Sequence, residues 1–257
     1  MNIILGAALT ALGLGFGILI FLEIGRRMGI RRMAEDPEGA KTGTGAVEGA
    51  VFGLMGLLIA FTFSGAAARF ESRRQLVTEE ANDIGTAWLR LDLLPTAAQP
   101  ALRDQFRRYV DMRLEVYRKM PDIDAAMATL ASCQSLQGEI WTQAVAASRE
   151  GQASAAMLFL PALNQMFDIV TTRTMAAKMH QPMIIFVMLI VLTLIGSLFA
   201  GYSMAAAKRR NWVHLLGFAF IMAASIYIIV DLEYPRLGLI QVHASDQVLV
   251  ELRQSMK

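Results

Sequence analysis

The chain has little of what most protein chemistry is built from. It carries one cysteine, Cys133, so no disulfide can form within it. A lone thiol says little about redox compartment and reads most simply as a small buried apolar side chain. The three histidines, His180, His214 and His243, are far apart in sequence, and neither a phosphate-binding glycine loop nor a nucleophile motif is present. The chain is therefore not read as an enzyme, and no cofactor or metal is expected. Charge is also scarce. Only 18% of residues are charged and the formal net charge is +2, with basic side chains scattered rather than gathered in a stripe, so no nucleic-acid partner is expected.

Apolar residues, by contrast, make up 55% of the chain. They gather into four uncharged runs, roughly 3–22, 49–68, 183–207 and 213–230, each near or above the ~20 residues that cross about 30 Å of hydrocarbon. In lipid every backbone N–H and C=O must be satisfied inside the segment, and continuous apolar runs of this length can do that only as helices. The fold class is an all-α integral membrane protein with four transmembrane helices, and the lipid bilayer is its first partner. The first run begins almost at Met1 without a basic leader, and no small-residue cleavage site follows. It reads as a retained helix, not a signal peptide.

Orientation follows from the basic residues between the runs. Arg26, Arg27, Arg31, Arg32 and Lys41 follow the first run, and Lys208, Arg209 and Arg210 separate the last two. The positive-inside rule places both connections in the cytoplasm and leaves both termini and the middle segment outside.

The middle segment reads as helical throughout. A stripe of Val77, Ala81, Ile84, Trp88 and Leu91 alternates steps of four and three, so one helix is expected to run on from the second span to about Leu94. Pro95 and Pro100 mark a turn. A second stripe, Leu102, Phe106, Tyr109, Val116 or Tyr117 and Met120, ends at Pro121. A third, Ile123, Met127, Leu130, Leu136 or Gln137, and Ile140 or Trp141, starts behind Asp122 as N-cap. A fourth, Leu163, Phe167, Val170 and Thr174, leads to the third span. These four amphipathic helices suggest an antiparallel bundle. The expected domains are 1–68, a transmembrane hairpin; 69–181, the bundle; and 182–257, a second hairpin with a short tail.

Within the membrane, Gly45, Gly49 and Gly53 recur every fourth residue, as do Gly13 and Gly17. Small residues at this spacing let helix backbones approach closely. Packing of the two sets against each other within one chain is the plainer reading; a subunit interface or a pore-facing strip is the sharper one. Glu23 and Glu48 lie at membrane edges, where they can pair with Arg26 or Arg27 or form an acidic ring. Phe61, Thr62, Phe63 and Ser64 form an aromatic and polar patch, whose hydroxyls more often bond back to the helix than line a conduit. Glu48, Phe61, Thr62, Phe63 and Ser64 are the pore or gate candidates.

Two stretches resemble a known family. The run from Gly56 to Gly65, followed by Arg69 to Arg74 and then Glu80, Asn82 and Gly85, is similar to the central signature of the bacterial bestrophin-like membrane proteins. The end of the last run, Asp231, Glu233, Pro235, Arg236 and Gly238, is similar to that family's closing motif, with Glu233 in place of an aspartate. The resemblance implies four spans, a helical middle region and a place in the bacterial inner membrane. Bestrophins proper keep their middle region in the cytoplasm, whereas the charges here place it outside.

Read physically, Glu79, Glu80 and Asp83 lie on the solvent side of the Trp88 stripe, where helical ion pairs are favoured over a weak divalent-cation site. Pro235 and Gly238 end the last helix, and Arg236 to Glu71 or Asp231 to Arg73 can lock the last span to the second. Two function classes remain. One is an oligomeric pore for small ions, a homo-oligomer because one four-span subunit is too small to enclose a water path. The other is a membrane-anchored binding or sensing module working through a partner, or a structural assembly protein.

Overall fold

A computed structural model describes residues 3–36, 44–120, 122–207, 210–236, 238–240 and 243–257. It is all-α. Helix α1 spans Ile3–Glu35, α2 Thr44–Arg90, α3 Gln99–Arg118, α4 Ile123–Glu150, α5 Ala153–Lys178, α6 Met183–Ser203, α7 Trp212–Glu233 and α8 His243–Ser255. Among the described residues α1, α2, α6 and α7 carry stretches long and apolar enough to cross a membrane, so the protein is multi-pass. The basic residues Arg26 to Arg32, expected in a turn, extend α1 instead. Lys41, Pro121, Lys208 and Arg209 lie outside the described residues.

The chain divides into two units. One holds residues 1–68 and 180–234, the other 69–179 and 235–257. The tail beyond Tyr234 thus groups with the helical middle segment and not with the last hairpin, because α8 is amphipathic and buries Leu249, and Met256 just past its end, in that unit's core. Helix α2 contributes to both units, as its unbroken apolar-to-stripe pattern foretold.

In the membrane unit, Leu14, Ile18 and Leu22 of α1 pack with Leu189 of α6, Ala219, Met222 and Ile226 of α7 and Met55 of α2. Close approach comes from glycines other than the expected ladder. A Cβ on Gly25 would collide with the Leu198 carbonyl, one on Gly201 with the Leu22 carbonyl, and one on Gly29 with Ala205. With no hydrophobic drive between helices in lipid, such backbone contact is what holds α1 to α6.

The bundle unit packs conventionally. Val77, Ala81, Ile84, Trp88 and Leu91 are all buried, as are Leu102, Phe106 and Tyr109 of α3. Directions follow from cross-helix contacts. Gln137 bonds the Tyr109 hydroxyl at 3.1 Å while Lys119 bonds Thr129 at 2.8 Å, so α3 and α4 are antiparallel. The Arg90 guanidinium reaches the Leu158 carbonyl at 2.5 Å while Arg73 reaches that of Ala176 at 3.1 Å, so α2 and α5 are too. Pro100 sits in the first turn of α3, where its missing N–H costs nothing. Asp122 caps α4, accepting from the Ala125 amide at 3.0 Å. The α4 stripe is set differently from its expected register: Ile123 and Met127 are exposed, and Ala126, Leu130, Cys133, Leu136, Ile140 and Ala144 face the core. Its small residues let α4 lie close, and a reading keyed to large side chains passed over them. Cys133 is a buried free thiol, and burial pushes it up to about 11.

Candidate functional site

The pore candidates fall mostly on open faces of α2. Phe61 is 66% exposed and Phe63 46%, and Ser64 is exposed. Thr62 is instead buried, and its hydroxyl donates to the Leu58 carbonyl at 2.6 Å, the return bond expected of a helical threonine. A Cβ added at Gly45, Gly49, Gly53 or Gly56 would meet nothing within 4 Å, nor would one at Gly13; at Gly17 it would touch only the Leu194 side chain, at 3.2 Å. The two glycine sets therefore do not pack against each other within the chain. Phe52 and Met55 of α2 cover Gly196 of α6, and Phe52 meets Phe218 edge-on at 6.3 Å. Glu48 accepts from the Ser203 hydroxyl, 2.5 Å from each carboxylate oxygen, rather than pairing with Arg26 or Arg27. Glu23 takes Arg27 at 2.8 Å and Arg210 at 3.0 Å.

The family-motif residues show a different arrangement. Glu80 is not on the solvent side: it is fully enclosed, while Glu79 and Asn82 are exposed and Gly85 lies beside Leu252 of α8. Three side chains from two helices converge on the Glu80 carboxylate. Arg113 of α3 donates Nε at 2.5 Å to one oxygen and Nη2 at 3.3 Å to the other, and Arg173 of α5 adds its Nη1 to the second. The Tyr117 hydroxyl accepts from Arg113 at 2.5 Å and donates to Glu80 at 3.4 Å. A buried carboxylate is tolerable only when paired and hydrogen-bonded in this way.

Arg236, from the closing motif, joins the same cluster. Its guanidinium lies 4.3 Å from the Tyr117 ring centre and forms a two-pronged pair with Asp246 of α8, both bonds 2.8 Å. It does not pair with Glu71, which takes Arg74 at 3.0 Å. The guanidinium carbons of Arg173 and Arg113 lie 4.5 and 5.3 Å from the same ring, so three cations surround one phenol. Burial pushes the Tyr117 hydroxyl up to about 12.

Of the remaining motif residues, Asp231 and Glu233 are buried at the end of α7, and Gly238 is buried beyond half-buried Pro235. His180 Nδ1 is 3.6 Å from Glu233, and the histidine ring stacks on Tyr234 at 4.6 Å. Reading the sequence found Glu80 and Arg236 but missed Arg113, Arg173, Tyr117 and Asp246. Arg113 and Arg173 carried a faint signal, since each is an arginine on an otherwise apolar or small helix face. Among the described residues no group of three or more acidic, histidine or cysteine side chains is placed to hold a metal ion.

The family model for the Bestrophin-like domain matches residues 7–246, which takes in every residue of this cluster. No curated protein and no solved structure matches the chain.

Proposed function

The chain belongs to the Bestrophin-like family, and from that premise we propose that it is one subunit of a symmetric homo-oligomer whose second spans surround a path for small ions. The observation that carries this reading is the uncovered side of α2. Gly45, Gly49, Gly53 and Gly56 have open space where a side chain would be, while α1 is packed against both α6 and α7. Such a face lets identical helices approach across a symmetry axis. Phe63, seven residues on from Gly56 and so on the same side of α2, supplies an apolar group that narrows a lumen, and Glu48 supplies an acid toward the opposite end. By the charge rule, the end of α1 that carries Arg26 to Arg32 and the connection that carries Arg210 face the cytoplasm of the bacterial cell, and the bundle and both termini face out.

Two measurements test the reading together. Purified protein is expected as a defined oligomer by native mass measurement, and Gly49→Leu or Gly53→Leu is expected to shift it to smaller species. Liposomes containing the oligomer are expected to pass small ions, with Phe63→Ala changing conductance and Glu48→Gln moving selectivity toward anions. A monodisperse monomer, or flux at the empty-liposome level across voltages and calcium concentrations, would transfer the reading to a sensing module.

A further inference from the structure

The Tyr117 cluster holds more positive charge than negative. Glu80 accepts from Arg113, Tyr117 and Arg173, so one carboxylate faces two guanidiniums whose side chains are 2% and 8% exposed. The adjacent Arg236–Asp246 pair is neutral in itself, with both carboxylate oxygens engaged. Tyr117 does not supply the missing charge: with its hydroxyl pushed up to about 12, it is a neutral phenol at physiological pH. An unbalanced charge taken out of water is costly, and ring faces only partly offset the cost.

Arg173 is where the excess can be met. Its Nη1 is on Glu80, while its Nε and Nη2 have no acceptor among the described residues. Those two N–H groups form one side of the guanidinium fork, the side that holds two oxygens of a single planar anion. We propose that the free fork of Arg173, beside Tyr117 and the Arg236–Asp246 pair, binds one small monovalent oxyanion of the carboxylate type. One excess charge calls for a monoanion rather than sulfate, and the fork favours paired oxygens over a spherical halide. The proposal does not rest on the pore reading, since every residue of the cluster belongs to the bundle unit.

The probe is formate, titrated into full-length protein in detergent against chloride at constant ionic strength. The unfolding temperature is expected to rise saturably, by about 2–4 °C between 1 and 100 mM formate, and less in sulfate. Arg173→Lys keeps the charge but removes the fork, and is expected to flatten the response, whereas Arg103→Gln on the bundle surface leaves it intact. Equal curves in formate and chloride would overturn the site, as would an unchanged response in Arg173→Lys. Should that variant not fold, calorimetric titration of formate into the unaltered protein decides: one saturable site per chain supports the proposal, and no saturable heat overturns it. A phosphodiester headgroup offers the same oxygen pair, so saturation by dimethyl phosphate without any by formate would overturn the carboxylate assignment in favour of lipid.

Discussion

In the membrane unit helices meet where side chains are missing, at Gly25, Gly29 and Gly201, while in the bundle unit they meet through Phe106, Tyr109, Phe159 and an enclosed set of ions. The contrast follows from the surroundings each unit is built for. Lipid rewards no apolar burial, so helices there gain by close backbone contact and by leaving apolar side chains outward: Leu12, Phe16 and Phe220 are among the most exposed residues of their helices. Water rewards burial at about 25 cal/mol per Å², so the bundle gathers its large side chains inside. With that driving force in hand it also carries a charged cluster that is no source of net stability in itself.

The comparison breaks most sharply at the buried acid. Glu80→Ala strands the Arg113 and Arg173 guanidiniums without a counter-ion, and is expected to cost about 3–5 kcal/mol, read by denaturant unfolding of the full chain. The membrane unit has its counterpart at Gly201, where a leucine must push α1 from α6. A loss of about 1–3 kcal/mol is expected, seen as faster proteolysis in detergent, whereas Gly49→Leu leaves the single chain as resistant as before because its Cβ meets nothing.

Smaller changes sharpen the same contrast. Ile140→Val in the bundle core is expected to cost about 0.5–1.5 kcal/mol, while Ile20→Val on the outward face of α1 should leave unfolding in lipid unchanged. The Cys133 thiol tests burial through pH. Its folded value is raised from 9.0 to about 11, so folding favours the protonated form; that contribution is whole below pH 9 and is lost as pH rises through about 11. At pH 10 the loss is about 1 kcal/mol, and stability in Cys133→Ala should fall less steeply across this window. The exposed pair between Arg253 of α8 and Asp111 of α3, at 2.8 Å, should be worth least: Asp111→Asn is expected to cost about 0.2–1 kcal/mol, shrinking with salt.

The fold was largely legible because its signals are local. Continuous apolar runs marked the spans, the spacing of Val77, Ala81, Ile84, Trp88 and Leu91 marked the buried side of α2, and Asp122 marked the start of α4. The site was legible only in fragments. Glu80 and Arg236 stood out through family resemblance, but Glu80 was assigned to the wrong side of its helix, since an acid beside Glu79 and Asp83 reads as solvent-facing until its partners are known. The glycine ladder was placed by its spacing but not by its contacts: packing within the chain was the plainer expectation, and the ladder of α2 meets nothing there, because spacing shows that a face is small without showing what it meets.

What the sequence determined by itself was therefore the helical class, the four spans and the amphipathic stripes, each set by hydrophobicity within a few turns of one helix. Tertiary structure alone decided which glycines touch and which charge is enclosed. Arg113 and Arg173 reach Glu80 across 33 and 93 residues of chain. Whether an ion is buried depends on the counter-charges that other helices bring to it, and no local pattern along α2 records them.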